Sequence, residues 1–211
     1  MAGGVFRHIT NHTRPNAHPM ISSIDSCGTG AYHAGEEPDP RTISVLNAHK
    51  ITSSFYTHQA RKFRNSDFKD FDYIFAMDRD NEDYLLNARK RMIKEGKLTE
   101  EEAGKVMLFG VWGGKGKEEV DDPYYGGARG FDIAYEQVER FSNGFVKMLE
   151  ERGSKNRVGA TSKEQVTCRK NRYRDRRFWS TQNDTHVLSG YHNHEKRCQR
   201  LLDTSNGMCN D

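Results

Sequence analysis

The clearest pattern of apolar and polar residues lies in the segment 131–151, where apolar residues recur every three or four positions. They are Phe131, Ala134, Tyr135, Val138, Phe141, Phe145, Met148 and Leu149. This spacing places them on one face of a helix with about 3.6 residues per turn. The segment is therefore predicted to be an amphipathic helix that packs its apolar face on a core.

Shorter apolar runs alternate with helical segments in the first half of the chain. The predicted elements are a helix over 5–10, a strand over 21–26, a helix over 36–51, a strand containing Phe68, Phe71, Tyr73, Ile74 and Phe75, a helix over 80–94 and a strand over 105–110. The near-continuous apolar run FDYIFAMD is typical of a parallel strand covered on both faces. Alternating strands and helices predict an α/β fold with a parallel sheet.

Three loops follow predicted strands and carry polar residues. They are 25–28, the pair Met77-Asp78, and 120–127. Ligands of parallel α/β sheets bind at the carboxyl ends of the strands. We therefore expect these loops to meet at one rim of the sheet. The chain opens with a helix, and no predicted strand precedes it.

The apolar pattern ends near residue 152. Residues 1–152 carry 21 Lys and Arg against 24 Asp and Glu, whereas 153–211 carry 12 against 6 and show no apolar period. We expect one domain over 1–152 and a basic, disordered tail over 153–211. A misplaced exon boundary would also produce a tail of this composition. Tyr173, Phe178 and Trp179 are rings that can stack on bases. Most tails of this charge are only solvated, so nucleic-acid binding by the tail is not expected.

The four cysteines favour a reduced compartment. Cys27, Cys168, Cys198 and Cys209 form no C-x-x-C pair and show no zinc-ligand spacing. No segment reaches the ~18 apolar residues that a membrane span needs, and the first residues lack the apolar region of a signal peptide. We expect a cytoplasmic protein with no metal, no other cofactor and no membrane partner.

The stretch VDDPYYGG at 120–127 sets two acids, a proline and two phenol rings side by side. On its own, a D-P-x-x-G string is typical of a surface turn. Three further motifs change that interpretation: D-S-C-G-T-G-A-Y-H-A-G-x-x-P-D-x-R at 25–41, H-x-A-R-K at 58–62 and F-D-Y-I-x-x-M-D-x-x-N at 71–81. In this order and spacing the four motifs resemble the low-molecular-weight protein tyrosine phosphatases, over about residues 2–150. The Gly-Gly after the tyrosines is most similar to the fungal branch.

The resemblance implies a four-stranded parallel sheet flanked by helices, and a two-step hydrolysis of phosphotyrosine proteins or small aryl phosphates. In that reaction a cysteine thiolate attacks phosphorus, and an aspartic acid protonates the leaving phenol. The phosphocysteine is then cleaved by water, with the same aspartate as base. The family's acid directly precedes the proline, so the resemblance implies that Asp122 is the general acid and base.

The resemblance also implies roles for residues around the acid. Tyr124, Tyr125 and Tyr32 fall where the family walls its cleft with aromatic rings, which would grip the phenyl ring of the substrate. His58 and Asp78 match a pair whose polar contacts support the phosphate-binding loop.

One part of the family pattern has no match in this sequence. The family begins with a central apolar strand and a C-x5-R-S/T-P loop, whose amides and arginine bind the phosphate. This chain begins with residues that match the segment after that loop. Cys27 matches a packing position, and the string CRKNRYR at 168–174 has no glycine and no preceding strand, so neither is expected to be the nucleophile.

We therefore expect an N-terminally truncated phosphatase whose first strand and nucleophile are absent, and which is inactive unless its true start lies upstream. Two alternatives remain open. One is a non-catalytic remnant that binds without turnover. The other is an arsenate reductase-like member of the same fold, although D-P-Y-Y favours an aromatic substrate.

Overall fold

The structure, a computed structural model, describes residues 1–52, 56–125, 129–158 and 176–182. Its helices are α1 (Ala2–Ile9), α2 (Pro40–Ala48), α3 (Asp67–Asp70), α4 (Arg79–Lys94) and α5 (Gly130–Val158). Its strands are β1 (Ile21–Gly28), β2 (Tyr73–Ala76), β3 (Lys105–Leu108) and β4 (Arg176–Gln182). Short 3₁₀ helices cover Phe109–Gly113 and Pro123–Tyr125. Within these ranges no helix is both long and apolar enough to cross a membrane.

The four strands form one parallel sheet in the order β1-β4-β2-β3, so the predicted α/β class with a four-stranded parallel sheet is confirmed. The helix predicted over 36–51 is shorter than expected. Asp39 caps it, because its Oδ1 accepts a hydrogen bond from the Arg41 backbone N–H at 2.7 Å and Pro40 begins the first turn. The residues before Asp39 therefore remain outside α2.

The fourth strand comes from the segment predicted to be a disordered tail. That prediction does not hold for residues 176–182, which form β4 between β1 and β2. Helix α5 continues to Val158, past the predicted end of the domain at residue 152. Residues 159–175 and 183–211, including the 168–174 string, lie outside the described residues. The polar sequence of β4 does not show the apolar run that marks the neighbouring strand β2, so the sequence pattern did not reveal this strand.

The strand β2 is buried on both faces, as its apolar run predicts. Tyr73 and Phe75 belong to a buried cluster with α1 and α5, and Ile74 and Ala76 belong to a second cluster with α4. This alternation follows from the two-residue period of a strand. The sheet therefore lies between two helical layers.

Phe68 was expected in this strand and lies elsewhere. It is fully buried in the short helix α3, edge-on to Phe63 with ring centroids 4.9 Å apart. The apolar run 68–75 thus spans two elements, because the chain turns between Asp70 and Tyr73. Apolar content alone did not distinguish a buried helical turn from a buried strand.

Candidate functional site

A cavity of about 150 Å³ lies at the carboxyl ends of β1 and β2. The segments Ser26–Gly28, Met77–Asp78 and Val120–Pro123 all line it. The three loops predicted to meet at one rim therefore do so. The start of α1 also lines the cavity through Met1 and Ala2, and the N-terminus of a helix favours bound anions.

His58 enters this cavity from the segment before β2. Its Nε2 lies 3.1 Å from Ser26 Oγ, and its ring lies nearly parallel to that of Tyr56, with centroids 6.0 Å apart. Ser26 also hydrogen-bonds to Tyr56. Burial lowers the pKa of His58, and the nearby Asp25 carboxylate only partly offsets this. The neutral imidazole is therefore the favoured form near pH 7.

The buried histidine gives the stability a predictable dependence on pH. Because its folded pKa lies below 6.5, the unfolded chain takes up the proton first as pH falls. The contribution of the neutral His58 ring to the free energy of unfolding is therefore fully present above about pH 6.5 and is lost as pH falls through the folded pKa. We expect the free energy of unfolding in urea to fall between pH 7.5 and 5.5, and to fall less in His58→Gln. Burial also lowers the pKa values of His12 and His18, and that of the Met1 amino group to about 6, so these three groups account for a remaining slope. Equal slopes in the two proteins would contradict this assignment.

Asp78 caps the helix that follows β2. Its Oδ1 accepts a hydrogen bond from the Asn81 backbone N–H at 2.7 Å, which satisfies one of the free donors of the first turn of α4. Burial raises the pKa of this carboxyl group. Val120 N–H donates to Met77 O at 2.8 Å and ties the 120 segment to the end of β2.

Asp122 lies in that tied segment. Its Oδ1 accepts a hydrogen bond from the Tyr124 backbone N–H at 2.9 Å, which closes a turn over the buried Pro123. The half-buried carboxylate lines the cavity. The turn and the proline therefore fix the direction of this acid relative to His58 and Asp78, which line the same cavity.

The aromatic residues predicted for the site do not line the cavity as Asp122 does. Tyr32 and Tyr124 are 57% and 51% exposed, and neither is among the residues that line the cavity. Tyr125 lies in the 3₁₀ helix Pro123–Tyr125, and its side chain is outside the described part of the chain. The structure thus brings His58, Asp78 and Asp122 together and leaves Tyr32 and Tyr124 on the outer surface.

Arg41 supports Tyr124 from the neighbouring helix. Its guanidinium carbon lies 5.0 Å from the Tyr124 ring centroid and 4.5 Å from that of Phe131, distances typical of cation–π contacts. Two further hydrogen bonds, of 2.8 and 3.0 Å, join it to the Asp39 carboxylate. The contact with the two rings was not predicted, because Arg41 and Tyr124 are far apart in the chain.

A second set of residues was also missed by the sequence analysis. Arg61 Nε donates to Asp25 Oδ2 at 2.8 Å, and Arg61 Nη1 donates to Asp67 Oδ2 at 2.9 Å. Asp67 is only 4% exposed, and its carboxylate accepts hydrogen bonds from this guanidinium and from the Arg64 backbone N–H at 2.8 Å. The three residues join the end of β1 to α3 just outside the cavity.

Cys27 lies inside β1 and is buried, with its Sγ donating to Gly28 O at 3.2 Å. The thiol therefore already has an acceptor in the backbone beside it. Within the described residues, no group of three or more His, Cys, Asp and Glu side chains is arranged to hold a metal ion.

Comparison with known proteins identifies the family of the chain. Residues 1–155 match the family model described as low molecular weight phosphotyrosine protein phosphatase. The chain is 45% identical over 150 residues to a protein of that name from Schizosaccharomyces pombe, a match that covers 71% of this chain and 87% of the other. It is 33% identical to the namesake from Saccharomyces cerevisiae, over 70% and 84% of the two chains. A crystal structure of a protein tyrosine phosphatase from Entamoeba histolytica is similar with a TM-score of 0.58 and 32% identity, covering 72% of this chain and 88% of the other.

Proposed function

Because the chain belongs to the low molecular weight phosphotyrosine protein phosphatase family, a family of hydrolases, we propose that the rim cavity is its phosphotyrosine site and that Asp122 is the proton donor. The observation that carries the proposal is the shared cavity of Asp122, His58 and Asp78. The substrates are phosphotyrosine proteins or small aryl phosphates. The cysteine spacing supports a cytoplasmic location.

The chemistry follows from the position of each group. The phosphate lies against the N-terminus of α1, where the helix dipole favours a dianion. Asp122 lines the same cavity and protonates the leaving phenolate oxygen. That proton lowers the barrier, because a phenol such as tyrosine has a pKa of about 10 and its anion is a poor leaving group at neutral pH.

Specificity for phosphotyrosine comes from the outer rings. Tyr124 contacts Arg41 on the outer surface, and Tyr32 is exposed on the loop after β1. A phenyl ring is long enough to span from these faces to the phosphate position, whereas the shorter phosphoserine is not. His58 and Asp78 support the phosphate region through Ser26 and through the cap of α4.

The nucleophile is the part of the reaction that these 211 residues do not supply. Catalysis by this family requires a thiolate in a C-x5-R-S/T-P loop, and none of the four cysteines stands in such a string. We propose that the active form carries that loop ahead of Ala2. The 211-residue chain is then inactive, although it retains the acid.

The role of Asp122 is tested in a chain extended ahead of Ala2 by a family-like strand and C-x5-R-S/T-P loop. Asp122→Asn is expected to lower kcat/KM, which reports the steps up to departure of the phenol, by about 10²–10⁴-fold for phenyl phosphate. The loss in kcat/KM is expected to be much smaller for a nitrophenyl phosphate, because its more acidic phenol leaves without a proton. Asp121→Asn, in the neighbouring residue, is the matched control and should change kcat/KM little. A loss that is independent of the leaving group would contradict the proton-donor role.

A non-catalytic binding protein is a second candidate, and β4 is the observation that favours it. This strand lies between β1 and β2, where the resemblance implies that the family has its own first strand. A chain whose sheet is already complete has no place for the catalytic loop. Failure of every extended chain to gain activity while it folds normally would favour this second candidate.

A further inference from the structure

The sheet depends on a strand that is distant in sequence from its neighbours. All seven residues of β4 pair with residues of β1, from Ile21↔Arg176 to Gly28↔Gln182, with one shift of register between Ile21 and Ser23. On its other edge, Phe178–Thr181 pairs with Tyr73–Ala76. In the described part of the chain, β1 and β2 do not pair with each other. Strand β4 alone therefore joins β1 to the β2–β3 pair by backbone hydrogen bonds.

The neighbouring edges of β1 and β2 are buried inside the domain. Ile24 is 3% exposed, and Ile74 and Ala76 are both 0% exposed. A buried backbone N–H or C=O without a partner is strongly unfavourable, so these edges require a strand between them. The two helical layers cannot supply it, because helices satisfy their own backbone groups.

We propose that Arg176–Gln182 is a strand donor that the rest of the domain binds as a separate segment. The binding surface consists of the facing edges of β1 and β2, and it accepts an extended, parallel segment of about seven residues. The only covalent connection to this segment runs through residues 159–175. The fold of residues 1–158 therefore depends on pairing with Arg176–Gln182. That pairing persists when the chain is cleaved within residues 159–175.

The rim position of the donor strand follows from its register. Gln182 lies level with Gly28, and Thr181 lies level with Ala76, which directly precedes the cavity residues Met77 and Asp78. The strand thus ends at the same rim as the candidate site. Strand β4 at this position determines whether the backbone groups of β1 and β2 beneath the cavity are paired. The inference concerns assembly of the sheet in the 211-residue chain, because a family-like strand ahead of Ala2 would compete for the same edges of β1 and β2.

A cleavable full-length chain tests the proposal directly. A specific protease site is inserted between Ala160 and Thr161, and the intact chain is cut after folding. We expect the two pieces to elute together in size-exclusion chromatography and to separate only in denaturant. Separation of the pieces under native conditions, with the larger piece retaining the thermal transition of the uncut chain, would overturn the proposal.

A pair of matched substitutions gives a second, independent measurement. Ser180→Pro removes a backbone donor in the middle of β4, and we expect it to lower Tm by about 6–12 °C. It should also increase amide hydrogen exchange across Ser23–Cys27 in β1. Ser189→Pro makes the same chemical change seven residues beyond the strand and should leave both measurements near wild type. An unchanged Tm and unchanged exchange in Ser180→Pro would overturn the proposal as well.

Discussion

A polypeptide of these 211 residues is expected to hydrolyse phenyl phosphate no faster than buffer does. Asp122 can assist departure of the phenol only after a nucleophile has begun to attack phosphorus. General acid catalysis contributes about 10²–10⁴-fold, whereas enzymes accelerate phosphate monoester hydrolysis by up to ~10²¹-fold. An acid without its nucleophile therefore gives no turnover that can be measured by phosphate release over days.

The cysteines provide the controls for this result. Turnover that disappears in Cys168→Ser would contradict the exclusion of the 168–174 string as a catalytic loop. Turnover that disappears in Cys27→Ser would show that the buried thiol of β1 is reactive in spite of its hydrogen bond to Gly28 O. Turnover retained in both variants would identify a contaminating phosphatase.

The extended chain that restores the nucleophile has to accommodate β4. The resemblance implies that the family's first strand is central, and only one strand can pair with the facing edges of β1 and β2. The added strand therefore competes with Arg176–Gln182 for the same hydrogen bonds. We expect the extended chain to be more active when it also carries Ser180→Pro, since that substitution weakens the competing strand.

Replacement of Arg61 by alanine is expected to lower the free energy of unfolding by about 3 kcal/mol. Arg61 bonds to both Asp25 and Asp67, and its loss leaves the carboxylate of Asp67 buried with no opposite charge beside it. Removal of one partner of a buried ion pair costs about 3–5 kcal/mol. The lower end of that range applies, because 21% of the Arg61 side chain and 30% of the Asp25 side chain are exposed. Urea unfolding at pH 7 measures the change.

Two further variants show whether the loss comes from the uncompensated charge. Lys97→Ala removes a surface ion pair with Glu95, whose members are 66% and 42% exposed, and should cost less than about 1 kcal/mol. Asp67→Asn in the Arg61→Ala background removes the unpaired charge and should recover part of the stability. A double variant less stable than Arg61→Ala alone would contradict the electrostatic explanation.

The elements that the sequence predicted correctly are those with a strong local signal. The period of α5 and the apolar run of β2 reflect burial of one face and of both faces, respectively, so each can be recognised within a short window. Strand β4 has no such signal, because RRFWSTQ alternates neither in polarity nor in size. Its position is determined by the edges of β1 and β2, which are more than 90 residues away in sequence.

The candidate site also has a part that could be predicted from the sequence and a part that could not. The positions of His58, Asp78 and Asp122 at one rim could be predicted, because each belongs to a motif that lies in a loop at or beside the end of a strand. The contacts that support them could not be predicted. Ser26 meets His58 across 32 residues, and Arg61 meets Asp25 across 36. Such pairs form only after the strands are assembled, and a single sequence contains no period or spacing that marks them.

The distance in sequence between β1 and β4 has a consequence for synthesis in the cell. Arg176 leaves the ribosome 155 residues after Ile21, its partner in β1. At about 5–20 residues per second, the nascent β1 waits roughly 8–30 s for the strand that lies beside it, and β2, whose Tyr73 pairs with Phe178, waits roughly 5–20 s. During that time their unpaired edges are open to strands of other nascent chains. The yield of folded protein will therefore depend on chaperones that shield these edges until translation has passed residue 182.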